Sequence, residues 1–211
     1  MNLRFLLLGV IIILVLYFVY TYFFKSTVIG DHVYLKDNNG TIGFDSLDSP
    51  GATRFSLSMW IYIENLGSSG NSNLINADPL SVFITSDAYL KYSIDGNENV
   101  VMSNFPLQRW VCLVLSFDND VIDSYVDGKL IRSQQLSAVP AIGAPGKAIT
   151  YGSGVEGYIA MFERLLYPMD PSTAWSRYMS GNGGITGGAG GANFSNYGAR
   201  AILTKDGKDL S

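Results

Sequence analysis

The chain has 211 residues, with 14 Lys and Arg against 18 Asp and Glu, a formal net charge of −4, one cysteine and one histidine. The basic residues are scattered and form no stripe for phosphates, so nucleic acid is not an expected partner. The single cysteine excludes an internal disulfide, and the single histidine, His32, leaves little material for triad chemistry.

In chain order, the first feature is an uncharged run from Phe5 to Phe24, closed by Arg4 and Lys25. As a helix it measures roughly 30 Å, the thickness of a hydrocarbon core. It is too long for the apolar part of a cleaved signal, and its aromatic end (Tyr17, Phe18, Tyr20, Tyr22, Phe23, Phe24) has the character of an interfacial belt. The expectation is a single transmembrane helix over residues 1–25, with Phe5, Leu6, Ile12, Leu16, Tyr20 and Phe24 facing lipid. The amino terminus and Arg4 on one side against Lys25 and Lys36 on the other leave the charge rule for topology nearly balanced. Residues 26–39 then read as a stalk and first strand.

From Phe55 the pattern changes to a period of two. Phe55, Leu57, Met59, Ile61 and Ile63 alternate with Ser56, Ser58, Trp60 and Tyr62, which places one apolar row on one sheet face. Further strands are predicted at Leu80–Ser86, Tyr89–Ile94, Asn99–Met102, Trp110–Phe117, Val121–Val126, Lys129–Gln134 and Gly157–Leu166. Asp95-Gly96, Asp118-Asn119-Asp120, Asp127-Gly128 and Pro145-Gly146 supply turns between them, with Asp127-Gly128 the strongest hairpin signal. Cys112 sits in the apolar strand around Val111 and Leu113 and reads as a small buried hydrophobe. One soluble helix is predicted from Pro171 to about Met179, with Asp170 as N-cap and Gly181 as stop. Residues 182–191 form a Gly-rich linker. Residues 192–211 form a tail whose apolar residues, Phe194, Tyr197, Ile202 and Leu203, are candidates for docking, either on the chain's own sheet edge or on a neighbour.

Three segments carry a family resemblance: Phe55–Ile61, then Trp110–Val114 leading to Tyr125-Val126-Asp127-Gly128-Lys129, then Gly157–Ala160 leading to Tyr178–Gly181. In order and spacing they resemble the laminin-G or concanavalin A-like lectin-glucanase domains over about residues 40–181. The resemblance implies an all-β fold, a two-sheet antiparallel jelly-roll sandwich, here preceded by the transmembrane helix, with Trp60 and Trp110 filling the space between sheets.

The same sandwich hosts several functions, so each has to be tested on residues. Glycosidases of this fold carry a Glu-x-Asp-x-Glu strand that sets two carboxylates about 5 Å apart. Here Glu64, Glu98, Glu156 and Glu163 make no such pattern, and the spacing of seven between the last two puts them on opposite faces of a regular strand. The expectation is a non-catalytic protein. Asp118, Asn119, Asp120 and Asp123 form a weak candidate calcium loop, with a solvated hairpin turn as the alternative, and no other cofactor is expected. A sugar platform would draw on Tyr89, Tyr92, Tyr151 and Tyr158, which suit core packing equally. An amino-terminal anchor, a disulfide-free sandwich and a linked tail together resemble membrane-associated minor capsid proteins of large DNA viruses. That layout implies a tether between an internal virion membrane and capsid proteins. The alternative is a membrane-anchored lectin or adhesin that binds carbohydrate.

Overall fold

A computed structural model describes residues 3–23, 26–30, 33–36, 40–66, 70–152, 155–182, 204–205 and 208–209, with side chains at 8–18, 33–36, 40–66, 70–152 and 155–182. Helix α1 runs Leu3–Phe23. Strands follow as β1 Ser26–Gly30, β2 Val33–Tyr34, β3 Gly40–Gly43, β4 Arg54–Asn65, β5 Asn71–Ala77, β6 Leu80–Thr85, β7 Leu90–Ile94 and β8 Asn97–Met102. They continue as β9 Trp110–Asp118, β10 Val121–Val126, β11 Lys129–Gln135, β12 Ala148–Tyr151 and β13 Glu156–Leu165, then helix α2 Pro171–Met179 and a small ladder of β14 Thr204–Lys205 with β15 Lys208–Asp209. The proposed docking residues Phe194, Tyr197, Ile202 and Leu203 lie outside the described residues, as does His32.

Two antiparallel sheets stack into a sandwich. Sheet A has the order β1-β13-β4-β9-β10-β11, with β2 also on β13, and sheet B the order β3-β12-β5-β6-β7-β8. The alternating row of β4 points between the sheets: Phe55, Leu57, Met59, Ile61 and Ile63 pack with Val82, Ile84, Tyr92, Leu113 and Phe117 in the main core. Both Asp-Gly turns close two-residue hairpins, Ile94 pairing with Asn97 and Val126 with Lys129. Asp95 and Asp127 take positive φ (49° in each) and the glycines follow at 80° and 74°, the geometry that matches strand twist.

Trp60 and Trp110 do not lie between the sheets. They occupy the opposite parity of their strands and build a second core on the outer face of sheet A with Cys112, Val114, Tyr125, Ala160, Leu165, Met169 and Ala174, covered by α2. The alternation itself required this, since residues flanking an inward position point outward. The helix is fastened there by several bonds. Asp170 caps the Thr173 N–H at 2.8 Å, Tyr125 donates to the Met169 carbonyl at 3.0 Å, and Arg177 pairs with Glu163 and donates to Ser58 Oγ at 3.3 Å.

Glu163 reaches α2 because β13 is irregular. The register slips between Ala160 and Glu163, and Met161 takes φ 47°. One inserted residue reverses the facing beyond it, so Ala160 lies in the outer core, Phe162 in the inner one, and Glu163 turns outward again. The seven-residue spacing therefore does not separate Glu156 and Glu163 by face, as a regular strand would. Distance along the strand separates them instead, by about 20 Å.

Residues 26–30 and 33–34 of the expected stalk are strands of sheet A. Ser26, Thr27, Val28 and Gly30 pair with Leu165, Arg164, Glu163 and Phe162, while Val33 and Tyr34 pair with Ile159 and Tyr158. Only residues 24 and 25 separate α1 from sheet A. Removing residues 1–25 is therefore expected to leave the melting temperature of the sandwich unchanged. Removing 1–34 uncovers the edge of β13 and is expected to cost on the order of 3–6 kcal/mol of ladder hydrogen bonds, read by urea denaturation of the two truncations.

Burial also sets an alkaline limit. Desolvation, then the Asp127 charge, pushes the Cys112 thiol up to about 12 from 9.0. Desolvation, then the charges of Asp123 and Asp170, pushes the Tyr125 phenol up to about 12 from 10.0. Unfolding lets both groups ionise at their lower values, so their contribution to stability is complete below pH 9 and is lost as pH rises toward about 12. Thermal melts from pH 8 to 12 should fall accordingly, and Cys112→Ala should flatten the start of that fall while lowering stability at pH 8.

Candidate functional site

Where the edges of the two sheets approach, β8 of sheet B and β11 of sheet A enclose a groove of about 330 Å³. That volume is at the lower end for a small-ligand site. Asp95, Asn97, Asn99, Gln134, Gln135 and Ser137 supply most of its polar lining. Arg132 sews the edges together, its Nη1 donating to the Val100 carbonyl at 3.1 Å and its Nε to Gln134 Oε1 at 3.2 Å. The buried Tyr92 donates its hydroxyl to the same oxygen at 3.2 Å, and desolvation raises its pKa, keeping it a donor. A guanidinium can only donate, so Gln134 is held with its carbonyl oxygen toward Arg132 and Tyr92, and its NH2 remains as a donor. Gln135 donates to Asp120 Oδ2 at 3.1 Å, and the Leu136 N–H to the Asp120 carbonyl at 2.6 Å. An array of fixed amides is suited to polar, hydroxyl-bearing ligands.

The candidate calcium residues are engaged with their neighbours. Asp118 pairs with Arg54 Nε at 2.8 Å, Asn119 bridges Thr53 and Asp118 at 2.9 and 3.1 Å, and Asp120 receives Gln135. Asp123 sits away from the turn on β10, opposite Ser116. Among the described residues no group of three or more His, Cys, Asp or Glu is placed to hold a metal ion. The glutamates are dispersed: Glu98 pairs with Lys91 at 3.0 Å, Glu156 with Lys36 at 2.5 Å, Glu163 with Arg177, and Glu64 accepts from Tyr34 at 3.5 Å. Lys36 and then Asn65 hold the Glu156 carboxyl below the usual range, so it is charged at neutral pH.

The four candidate platform tyrosines do not form one surface. Tyr92 is in the core, Tyr151 packs edge-on against Phe162, Tyr158 is exposed on sheet A, and Tyr89 is exposed in the turn between β6 and β7. Asn97, Asn99, Gln134 and Gln135 were not singled out by the sequence, because a groove between two sheet edges joins residues nearly forty positions apart and has no local motif.

On α1, Ile12 and Leu16 are exposed, along with every other large residue from Leu8 to Phe18. Among the described residues no helix is long and apolar enough to cross a membrane. Those with described side chains on α1 cover about 16 Å. The side chains of Phe5, Leu6, Tyr20 and Phe24 lie outside the described residues.

No curated protein matches the sequence. Among solved structures, the botulinum neurotoxin serotype D binding domain matches with a TM-score of 0.57 at 13% identity, over 74% of this chain and 46% of that one. The serotype D ligand binding domain in complex with N-acetylneuraminic acid matches with the same score and identity, over 74% of this chain and 45% of that one. The serotype G binding domain gives 0.50 at 12% identity, over 74% and 46%. This chain thus spans less than half the length of those proteins, and likeness at such identity establishes the fold alone. The family model of the concanavalin A-like lectin/glucanases matches residues 31–163, more than half the chain, in agreement with the two-sheet antiparallel sandwich. The chain belongs to the concanavalin A-like lectin/glucanase superfamily.

Proposed function

We propose that this chain is a membrane-anchored, non-catalytic carbohydrate-binding protein. The observation that carries this is the groove between β8 and β11, where Gln134 is fixed by Tyr92 and Arg132 with its NH2 available among further amides. Amides and carboxylates supply the paired donors and acceptors that sugar hydroxyls need, and their fixed geometry lowers the entropic cost of binding. The superfamily and the neighbour solved with N-acetylneuraminic acid are consistent with a saccharide ligand. A non-catalytic role is supported by the dispersed glutamates and by Glu98 at the groove being tied to Lys91. The anchor rests on α1, a helix of 21 residues whose described side chains are apolar on all sides.

The test is binding of the full chain in detergent to arrayed neutral and acidic glycans. Gln134→Glu keeps the acceptor for Tyr92 and Arg132 but removes the NH2 donor. It is expected to weaken binding about tenfold or more at unchanged melting temperature. Equal binding by wild type and variant would remove the groove from the recognition site.

A second function, as a tether to a scaffold such as a capsid shell, is favoured by one surface. Leu130 and Ile131 are 47% and 50% exposed on the edge strand β11, with Trp175 and Met179 also exposed on α2. An open strand edge bearing apolar side chains is suited to strand addition by a protein partner. Crosslinks to a shell protein at these residues, with no glycan bound by the full chain, would make the tether the primary function.

A further inference from the structure

Helix α2 covers only part of the outer face of sheet A. Nearer the Glu156 end of β13, four aromatic residues are successive cross-strand partners: Tyr34 of β2 opposite Tyr158 of β13, Tyr158 opposite Tyr62 of β4, and Tyr62 opposite Trp110 of β9. Their rings touch in the same order, with centroids 4.8, 6.3 and 5.4 Å apart. Three strand spacings make this ladder about 14 Å long. Trp110 is 7% exposed, Tyr62 and Tyr34 are half-buried and Tyr158 is 38% exposed, so the ladder is rooted in the core and opens most at Tyr158.

The next pair beyond Tyr158 and Tyr62 on that face is Glu156 with Asn65. Asn65 donates to Glu156 at 2.9 Å, and Lys36 to the same carboxylate at 2.5 Å. A strip of aromatic rings, with planes tilted 44°, 64° and 50° from one to the next, is thus bordered by a carboxylate, an amide and an ammonium whose charges cancel. The C–H face of a pyranose ring carries slight positive charge and packs on the negative face of an aromatic ring, while its equatorial hydroxyls bond to planar amides and carboxylates. A charged ligand would find no net countercharge in this border, and a monosaccharide would use only one ring of the strip.

We propose that the Tyr34–Tyr158–Tyr62–Trp110 ladder is a second saccharide-binding surface, separate from the groove, which takes an extended neutral oligosaccharide laid across the strands. It rests on the carbohydrate function proposed above, but on different residues. The full chain in detergent micelles would be titrated with cello-, manno- and chito-oligomers of two to six units, followed by calorimetry and by tryptophan emission, since Trp110 ends the ladder. Affinity for at least one series is expected to rise with length up to three or four units. Tyr158→Ala should weaken it about tenfold, and Tyr158→Phe, which keeps the ring, should stay within about twofold of wild type. Gln134→Glu should leave this length dependence intact. Wild-type affinity in Tyr158→Ala, with binding lost in Gln134→Glu, would overturn the ladder and keep the groove. No binding of any oligomer or arrayed glycan by wild type would overturn both. A protein partner lost in Tyr158→Ala without any saccharide response would assign the face to that protein and overturn the proposal.

Discussion

Trp60→Ala is expected to destabilise the sandwich by about 3–5 kcal/mol and to release α2 from sheet A. Trp60 is 2% exposed and stacks on Tyr178 with centroids 5.7 Å apart and planes at 21°. With Trp110 it is one of the two largest side chains of the outer core, which has far fewer members than the inner one and cannot collapse around the void, because the sheet below is fixed by its own ladders. Loss of the ring also frees Tyr178, and with it the turn that carries Arg177 to Glu163 and Ser58. Urea denaturation reads the energy, and hydrogen exchange of the amides from Ala174 to Ser180 reads the release. Trp60→Phe should cost much less. It keeps an aromatic ring under Tyr178 and removes an indole N–H that is buried without a hydrogen-bond partner among the described residues. Equal losses in both variants would show that α2 is held by its polar bonds and not by this ring.

Gly157→Ala is expected to be nearly as damaging, about 3 kcal/mol, although it adds only one methyl group. A Cβ at residue 157 would stand 2.2 Å from the Tyr62 carbonyl oxygen and 3.0 Å from Ile63 Cα. Both are backbone atoms of the paired strand β4, so no side chain can swing aside. The conflict lies at the register shift between Glu156 and Gly157, immediately beside the Tyr158–Tyr62 pair. The variant should therefore lose oligosaccharide binding as well as stability, whereas Trp60→Ala disturbs the opposite flank of the same face. A melting temperature within about 2 °C of wild type would mean the strands separate there without cost.

Much of the sandwich was legible because its central strands obey simple periodicities. β4, β9 and β10 alternate or run apolar, the Asp-Gly turns close their hairpins, and Asp170-Pro171 starts α2 at the expected residue. The missed strands lack such signals. β5 is rich in Asn, β3 begins and ends in Gly, and β12 has only four residues, so pairing within sheet B defines them and local propensity does not. The misplacement of Trp60 and Trp110 had a different cause: a large aromatic residue suggests the main core, but parity decides the face. Of the candidate site, Tyr158 was visible as an aromatic residue in a strand. That Tyr34 and Tyr62 stand beside it was not, because register across three strands brings them together. The groove amides were hidden for a similar reason, lying on two hairpins from different sheets.

The short connection from α1 to β1 has a mechanical consequence. Tension applied through α1 reaches the sandwich at Ser26, while a ligand on the tyrosine ladder is held near the other end of β13. The load therefore runs along the length of β13, and the hydrogen bonds of β1 and β2 bear it side by side instead of opening one at a time. Such a lap joint yields at higher force than a hairpin peeled from its end. Single-molecule pulling between residue 1 and a ladder-bound oligosaccharide should accordingly part the ligand before it strips β1 from the sheet.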